Sequence, residues 1–148
     1  MKTRVLSCLV LVLGCAVATV SASEWQTNYE KALATAKAEN KLVLLDFTGS
    51  DWCGPCIALQ KNVFSQPKFI EYATKHFVLL EVDYRVKTPM PDELSKQNEK
   101  LKLQYGIDKK GYPTVIAITP EGKIIGEFCG YDGEGPDDII ARLEKWRS

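Results

Sequence analysis

The chain has 148 residues, 45% hydrophobic and 26% charged, and its 19 basic and 19 acidic side chains cancel. That length supports one domain with its own core, and that composition excludes disordered and collagen-like classes. Lacking a basic stripe or an RNA-type aromatic motif, the chain has no nucleic acid among its expected partners; a single histidine, His76, excludes multi-histidine metal sites.

Residues 1–22 read as a signal peptide. Lys2 and Arg4 give a positive start, residues 5–20 are apolar, and Val20-Ser21-Ala22 offers a small-residue cleavage pattern before Ser23. An uncleaved anchor is one alternative, because the apolar part approaches the length of a short span. A lipid anchor at Cys15 is another, since Val12-Leu13-Gly14-Cys15 resembles a bacterial lipobox. In each case the domain, residues 23–148, is exported, to the periplasm or outside the cell. Taking Lys2 and Arg4 from 19 basic residues leaves 17 against 19 acidic. Three cysteines remain, Cys53, Cys56 and Cys129. An odd count does not build a disulfide framework, and a domain of this size does not need one. One working pair and one spare thiol fit better.

Residues 23–40 carry Trp25, Tyr29, Ala32, Leu33 and Ala36 at helical spacing. Residues 41–48 are almost wholly apolar, as expected of a strand covered on both faces. After the loop Thr48-Gly49-Ser50-Asp51 a helix begins at Cys53-Gly54 and breaks at Ser65-Gln66-Pro67, where Ser65 is a candidate cap and Pro67 suits a first turn. The helix resumes towards Lys75. Residues 77–83 form a second apolar strand, followed by a polar loop and a helix over residues 92–105, closed by Gly106. A third strand over residues 115–119, a turn at Pro120-Glu121-Gly122-Lys123 and a returning strand over 124–129 make a hairpin. Residues 137–146 form the closing helix. The order α-β-α-β-α-β-β-α is that of an α/β domain, with a mixed central sheet of about four strands flanked by helices.

Cys53-Gly54-Pro55-Cys56 follows Trp52 at the end of the first apolar strand. Two thiols three positions apart at the mouth of a helix form a disulfide that opens and closes, which is redox chemistry. Trp52-Cys53-Gly54-Pro55-Cys56, Tyr112-Pro113-Thr114 and the stretch from Gly122-Lys123 to Gly130 together resemble the thioredoxin family, in order and approximate spacing, over nearly all of residues 25–146. The resemblance implies the thioredoxin-like fold and a thiol–disulfide oxidoreductase.

Its chemistry follows from thiolate reactivity. The thiolate is the nucleophile in disulfide exchange. At a helix N-terminus Cys53 meets unpaired N–H groups and the positive end of the helix dipole, which favour that form. Cys53 is therefore the attacking residue, and Cys56, one turn on and more buried, the resolving one. Gly54 permits close approach of substrate, and Pro55 stiffens the dithiol loop. By resemblance, Gly-Pro between the cysteines points to a reducing protein, and Pro113 follows a cis peptide bond, with Tyr112 and Pro113 packing beside the dithiol. Trp52, Gly54, Pro55, Tyr112 and Pro113 are the candidate substrate-binding residues. The family also places a buried aspartate where Asp46 stands, as proton acceptor for the resolving cysteine; a strand-end aspartate bonded to backbone is the alternative. A carboxylate among Leu45 and Phe47 is costly unless paired or protonated.

Three departures from the family stand out. The loop before Trp52 is one residue longer, the strand over residues 77–82 has no lysine to neighbour Asp46, and residues 84–104 form a longer connection. That connection either shapes partner choice or is a solvated insertion. Val63-Phe64-Ser65 after the active-site helix is similar to exported thioredoxin-like proteins. Cys129 reads as a small buried hydrophobe, with a regulatory thiol as the alternative; Trp25 and Trp146 read as core, and His76 as a surface residue at a helix end.

The leading expectation is an exported reductase of protein disulfides, monomeric, with no cofactor beyond the Cys53–Cys56 disulfide. It takes electrons from a membrane donor, because the exported compartment lacks cytosolic reductants. A disulfide oxidase or isomerase is the nearest alternative, and a non-catalytic binding or chaperone module a further one. A metal carrier lacks a third and fourth ligand beside the two thiols, so no metal is expected. The ending Lys145-Trp146-Arg147-Ser148 carries no ER-retention signal, which argues against a luminal isomerase.

Overall fold

A computed structural model describes residues 25–148. The signal peptide of residues 1–22 and the lipid site at Cys15 lie outside the described residues. The elements run α1 (Tyr29–Glu39), β1 (Leu42–Thr48), α2 (Gly54–Leu59), a π-helical turn (Gln60–Phe64), α3 (Pro67–His76), β2 (Phe77–Asp83) and α4 (Asp92–Tyr105). A short 3-10 turn (Ile107–Lys109), β3 (Thr114–Ile118), β4 (Ile124–Cys129) and α5 (Pro136–Arg147) complete the chain. The four strands form one mixed sheet, as expected, and their order is β2-β1-β3-β4. β1 pairs parallel with β2 and antiparallel with β3, which pairs antiparallel with β4.

Alternation along the apolar strands sorts the core into two layers. Val43, Leu45 and Phe47 of β1 face α1 and α4, meeting Ala32, Ala36, Leu101 and Tyr105. Leu44, with Leu79 of β2 and Val115 of β3, faces the other way, onto Leu59, Phe64, Phe69, Ile139 and Leu143. Fully burying one such side chain stabilises the fold by about 1.5–3 kcal/mol, so the central strand is held from both sides. Along the second face the register pairs Leu44 with Leu79, Asp46 with Glu81 and Thr48 with Asp83. This column turns from apolar to acidic towards the ends of the strands where the dithiol begins.

Several boundaries differ from the sequence reading. α1 starts at Tyr29 and not at residue 23, because Asn28 caps it by accepting from the Lys31 N–H at 2.8 Å. The preceding residues are extended: Gln26 bridges to the outer edge of β2, donating to the Leu79 carbonyl and accepting from the Glu81 N–H, both at 2.8 Å. Ser65 does not cap α3. Its hydroxyl donates to the Gln60 carbonyl and closes the π-helical turn instead, while Pro67 takes the first turn of α3 with Gln66 before it. Gly106 ends α4 in the left-handed conformation at φ 65°, as read. Trp25 and Trp146 are partly buried, packing on Phe64 and Phe128. Cys129 is exposed and not a buried hydrophobe. β4 is an edge strand whose Phe128 takes the face packed against α5, so alternation turns Cys129 away from it. Among the described residues no helix is long and apolar enough to cross a membrane.

Candidate active site

Cys53 stands at the N-cap of α2 in extended conformation, and its sulfur accepts from the Cys56 N–H at 3.3 Å. The two cysteines are joined, Sγ–Sγ 2.05 Å and Cα–Cα 5.3 Å. Cys53 is 5% exposed and Cys56 2%. Pro55 lies in the first turn of α2, where a missing N–H costs nothing. A Cβ built on Gly54 meets no atom within 4 Å, so that side of the dithiol is open to an incoming chain. The Tyr112–Pro113 peptide bond is cis. The Pro113 carbonyl accepts from the Gly130 N–H at 2.8 Å, which ties that loop to the end of β4.

The extra residue before Trp52 has a visible job. Ser50 donates its N–H and hydroxyl to the Asp83 carboxylate at 2.9 and 2.5 Å. Asp51 reaches past it and accepts from the N–H groups of Val86, Lys87 and Thr88 at 3.0, 2.8 and 2.9 Å, and from the Thr88 hydroxyl. Those backbone donors, the Val86 N–H first, hold the Asp51 carboxyl at a pKa of about 2. The Trp52 indole N–H donates to the Tyr84 carbonyl at 2.6 Å, and its ring meets Tyr112 edge-on at 5.5 Å. Tyr84 packs on Tyr112 at 5.3 Å and donates its hydroxyl to the Asn98 carbonyl at 2.7 Å. The segment after β2 is thus stitched to the dithiol loop and to α4. Trp52 lies directly over Gly49, where a Cβ would sit 2.4 Å from the indole.

Behind the dithiol a cavity of about 330 Å³ opens to solvent between α2, the π-helical turn and the acidic end of the sheet. Cys56 and Asp46 both line it, with Thr48, Ile57, Gln60, Lys61 and Glu81 among the others. Asp46 is 4% exposed and its Oδ1 has no hydrogen-bond partner. Burial, then the charges of Glu81 and Asp83, push its carboxyl well above the ordinary aspartate range. The backbone-bonded alternative for Asp46 therefore does not describe it. Glu81, half-buried, is likewise pushed up, by burial and then by Asp83, with Arg85 opposing. No cluster of three or more metal-ligating side chains occurs among the described residues.

The structure brings Cys53, Cys56 and Asp46 to one end of the sheet, with Trp52 and Tyr112 packed together beside them. Sequence reasoning missed Glu81, Asp51 and Tyr84. Glu81 carried a usable signal, a lone charge inside an apolar strand. Asp51 carried none, because its partners lie 35 to 37 residues on.

A thioredoxin-like family model matches residues 24–120. The disulfide bond reductase DsbH of Chlamydia pneumoniae is 31% identical over 152 residues, covering 93% of this chain and 89% of that protein. The thioredoxin-related protein DsbJ of the same organism is 30% identical over 96% of this chain, which spans 43% of its length. A solved structure of a DsbH oxidoreductase superposes with a TM-score of 0.78 at 28% identity, covering 98% of this chain and 94% of that one. With the fold and the joined Cys53–Cys56 pair already in place, these likenesses show that the chain belongs to the thioredoxin-like family and is a Dsb-type thiol–disulfide oxidoreductase.

Proposed function

We propose that this chain is an exported reductase of protein disulfides, with Cys53 as nucleophile, Cys56 as resolving thiol and Asp46 as its proton acceptor. The Cys53 thiolate attacks one sulfur of a substrate disulfide, and the other substrate sulfur leaves as a thiolate and takes a proton from water. Cys56 then gives its proton to the Asp46 carboxylate and attacks Cys53 Sγ, releasing the second substrate sulfur as a thiolate. The substrate disulfide gains two electrons and the Cys53–Cys56 pair loses two. Trp52, Gly54, Pro55, Tyr112 and Pro113 receive the substrate chain beside the dithiol.

The observation that carries this reading is the Asp46 carboxyl, buried with an unpartnered oxygen on the wall of the cavity that Cys56 shares. An acceptor with a raised pKa is well matched to a thiol near neutral pH. The reducing direction is supported by the Gly54-Pro55 dipeptide and by the likeness to a disulfide bond reductase over most of both chains. Export to the periplasm or the cell exterior is supported by the basic start, apolar run and small-residue site of residues 1–22. A membrane protein supplies the electrons that return the pair to the dithiol.

Reduction of insulin in the presence of dithiothreitol tests the activity: the purified domain speeds it, and no gain over dithiothreitol alone overturns the reading. Equilibration with glutathione tests the direction. A potential near the thioredoxin value of about −270 mV is expected, whereas one near the DsbA value of about −120 mV makes the protein an oxidase. A Cys56→Ser variant should retain substrates as mixed disulfides on Cys53.

A further inference from the structure

The resemblance that led to Asp46 calls for a lysine beside it, and the register puts a second acid there. Glu81 of β2 is the direct partner of Asp46 of β1 in a parallel ladder, so both side chains leave the sheet on one face, from strands about 4.8 Å apart. Both line the cavity behind Cys56. Asp46 is buried, with Oδ1 unpartnered, while Glu81 is only half-buried and lines the same cavity with the exposed Ile57, Gln60, Lys61 and Ser65. A proton accepted by Asp46 thus has a second, more exposed carboxylate on the same cavity wall.

We propose that Glu81 is a positioning residue of the exchange reaction, a second carboxylate that sets when Asp46 holds a proton and hands that proton to solvent through the cavity. This inference rests on the proton-acceptor role given to Asp46 above. When Cys56 resolves the mixed disulfide, its proton passes to the Asp46 carboxylate, then to Glu81, then to water at the cavity mouth. No electrons move in this relay and Asp46 returns to its starting form. An anion facing Asp46 raises its proton affinity, so the pair titrates as a coupled unit and is a stronger acceptor near neutral pH than Asp46 alone. The other charged groups facing the pair are Asp83 at the end of β2, held by Ser50 and Arg85, and Lys61 of the π-helical turn on the cavity wall. The upward shifts of Asp46 and Glu81 agree with this arrangement.

Carboxyl-carbon NMR titration of the reduced protein, with the Asp46 signal assigned by its loss in Asp46→Asn, reads the coupling without any substrate. Glu81→Gln should lower the Asp46 midpoint by about one pH unit, and Glu81→Lys by more. In single-turnover resolution of a mixed disulfide, Glu81→Gln should shift the pH profile by the same amount and slow the step about tenfold at neutral pH. Glu81→Asp, which keeps the charge, should restore both. An unmoved Asp46 midpoint in Glu81→Gln and Glu81→Lys overturns the proposal, as does a rate loss that is independent of pH. Failure of the wild-type chain to reduce insulin would instead sink the functional reading and leave the titration result readable by itself.

Discussion

Asp46→Asn is expected to stabilise the oxidised protein at neutral pH. Asp46 is 4% exposed, has an oxygen without a partner, and faces the carboxylates of Glu81 and Asp83. Its folded-state pKa lies above the unfolded value of 3.8. Below about that pH both states are protonated and the carboxyl imposes no penalty. As pH rises, the unfolded chain releases the proton first, so the native state loses stability until its own carboxyl ionises. Asparagine of the same size has no such dependence. The penalty of holding an unpartnered carboxylate in that buried place, which a neutral asparagine does not carry, is on the order of 2 kcal/mol, which for a domain of this size corresponds to a rise in Tm of about 8 °C. Scanning calorimetry of both oxidised proteins at pH 4 and pH 8 reads the difference. The gap should open between those values. An equal gap at both, or a lower melting temperature for Asp46→Asn at pH 8, would refute the argument.

Asp51→Ala should release residues 86–88, seen as faster amide hydrogen exchange at Val86, Lys87 and Thr88; because the Asp51 pKa is about 2, its tie is complete above pH 4 and fades only as pH falls through about 2. Gly49→Ala should displace the Trp52 indole, changing its fluorescence and lowering kcat/KM for a protein disulfide about tenfold, while a small disulfide is reduced as before. Gly126→Ala drives a methyl to 2.2 Å from the Trp146 ring; overpacking of this kind costs about 1–3 kcal/mol, so urea denaturation should show the midpoint fall, with the reduction potential unchanged.

The sheet was legible because its signal is local. Residues 42–45 and 77–80 are apolar on both faces, as a covered parallel pair must be, and the prolines and glycines at Pro67, Gly106 and Gly122 mark the breaks. The dithiol was legible for the same reason, as a short motif whose chemistry depends on its immediate neighbours, whereas Asp46 was singled out by the family resemblance and its apolar flanks, and its acidic neighbours Glu81 and Asp83 come from another strand. The start of α1 was not, since Trp25 fits the helical spacing while the adjacent Gln26 bridges to Leu80, more than fifty residues away, and holds that stretch extended. Cys129 failed similarly. Its strand is amphipathic in either register, and only the position of α5 decides which side is covered.

The two departures near the dithiol act on opposite sides of it. The longer loop before Trp52 uses Asp51 to bind the segment after β2, while Ser50 holds Asp83 at the end of β2, and Trp52, Tyr84 and Tyr112 stand as one aromatic wall, its two tyrosines packed against the sheet face opposite Asp46. The acid that replaces the expected lysine works on the cavity side, in the wall that Asp46 and Cys56 share. Changes on the wall should therefore alter which proteins are bound and leave proton handling alone, whereas changes at Glu81 should alter the pH dependence for every substrate equally. Comparing Gly49→Ala with Glu81→Gln on one protein disulfide and one small disulfide separates the two. A pH profile that moved in Gly49→Ala, or substrate discrimination that moved in Glu81→Gln, would mean the two sides are coupled through the dithiol itself.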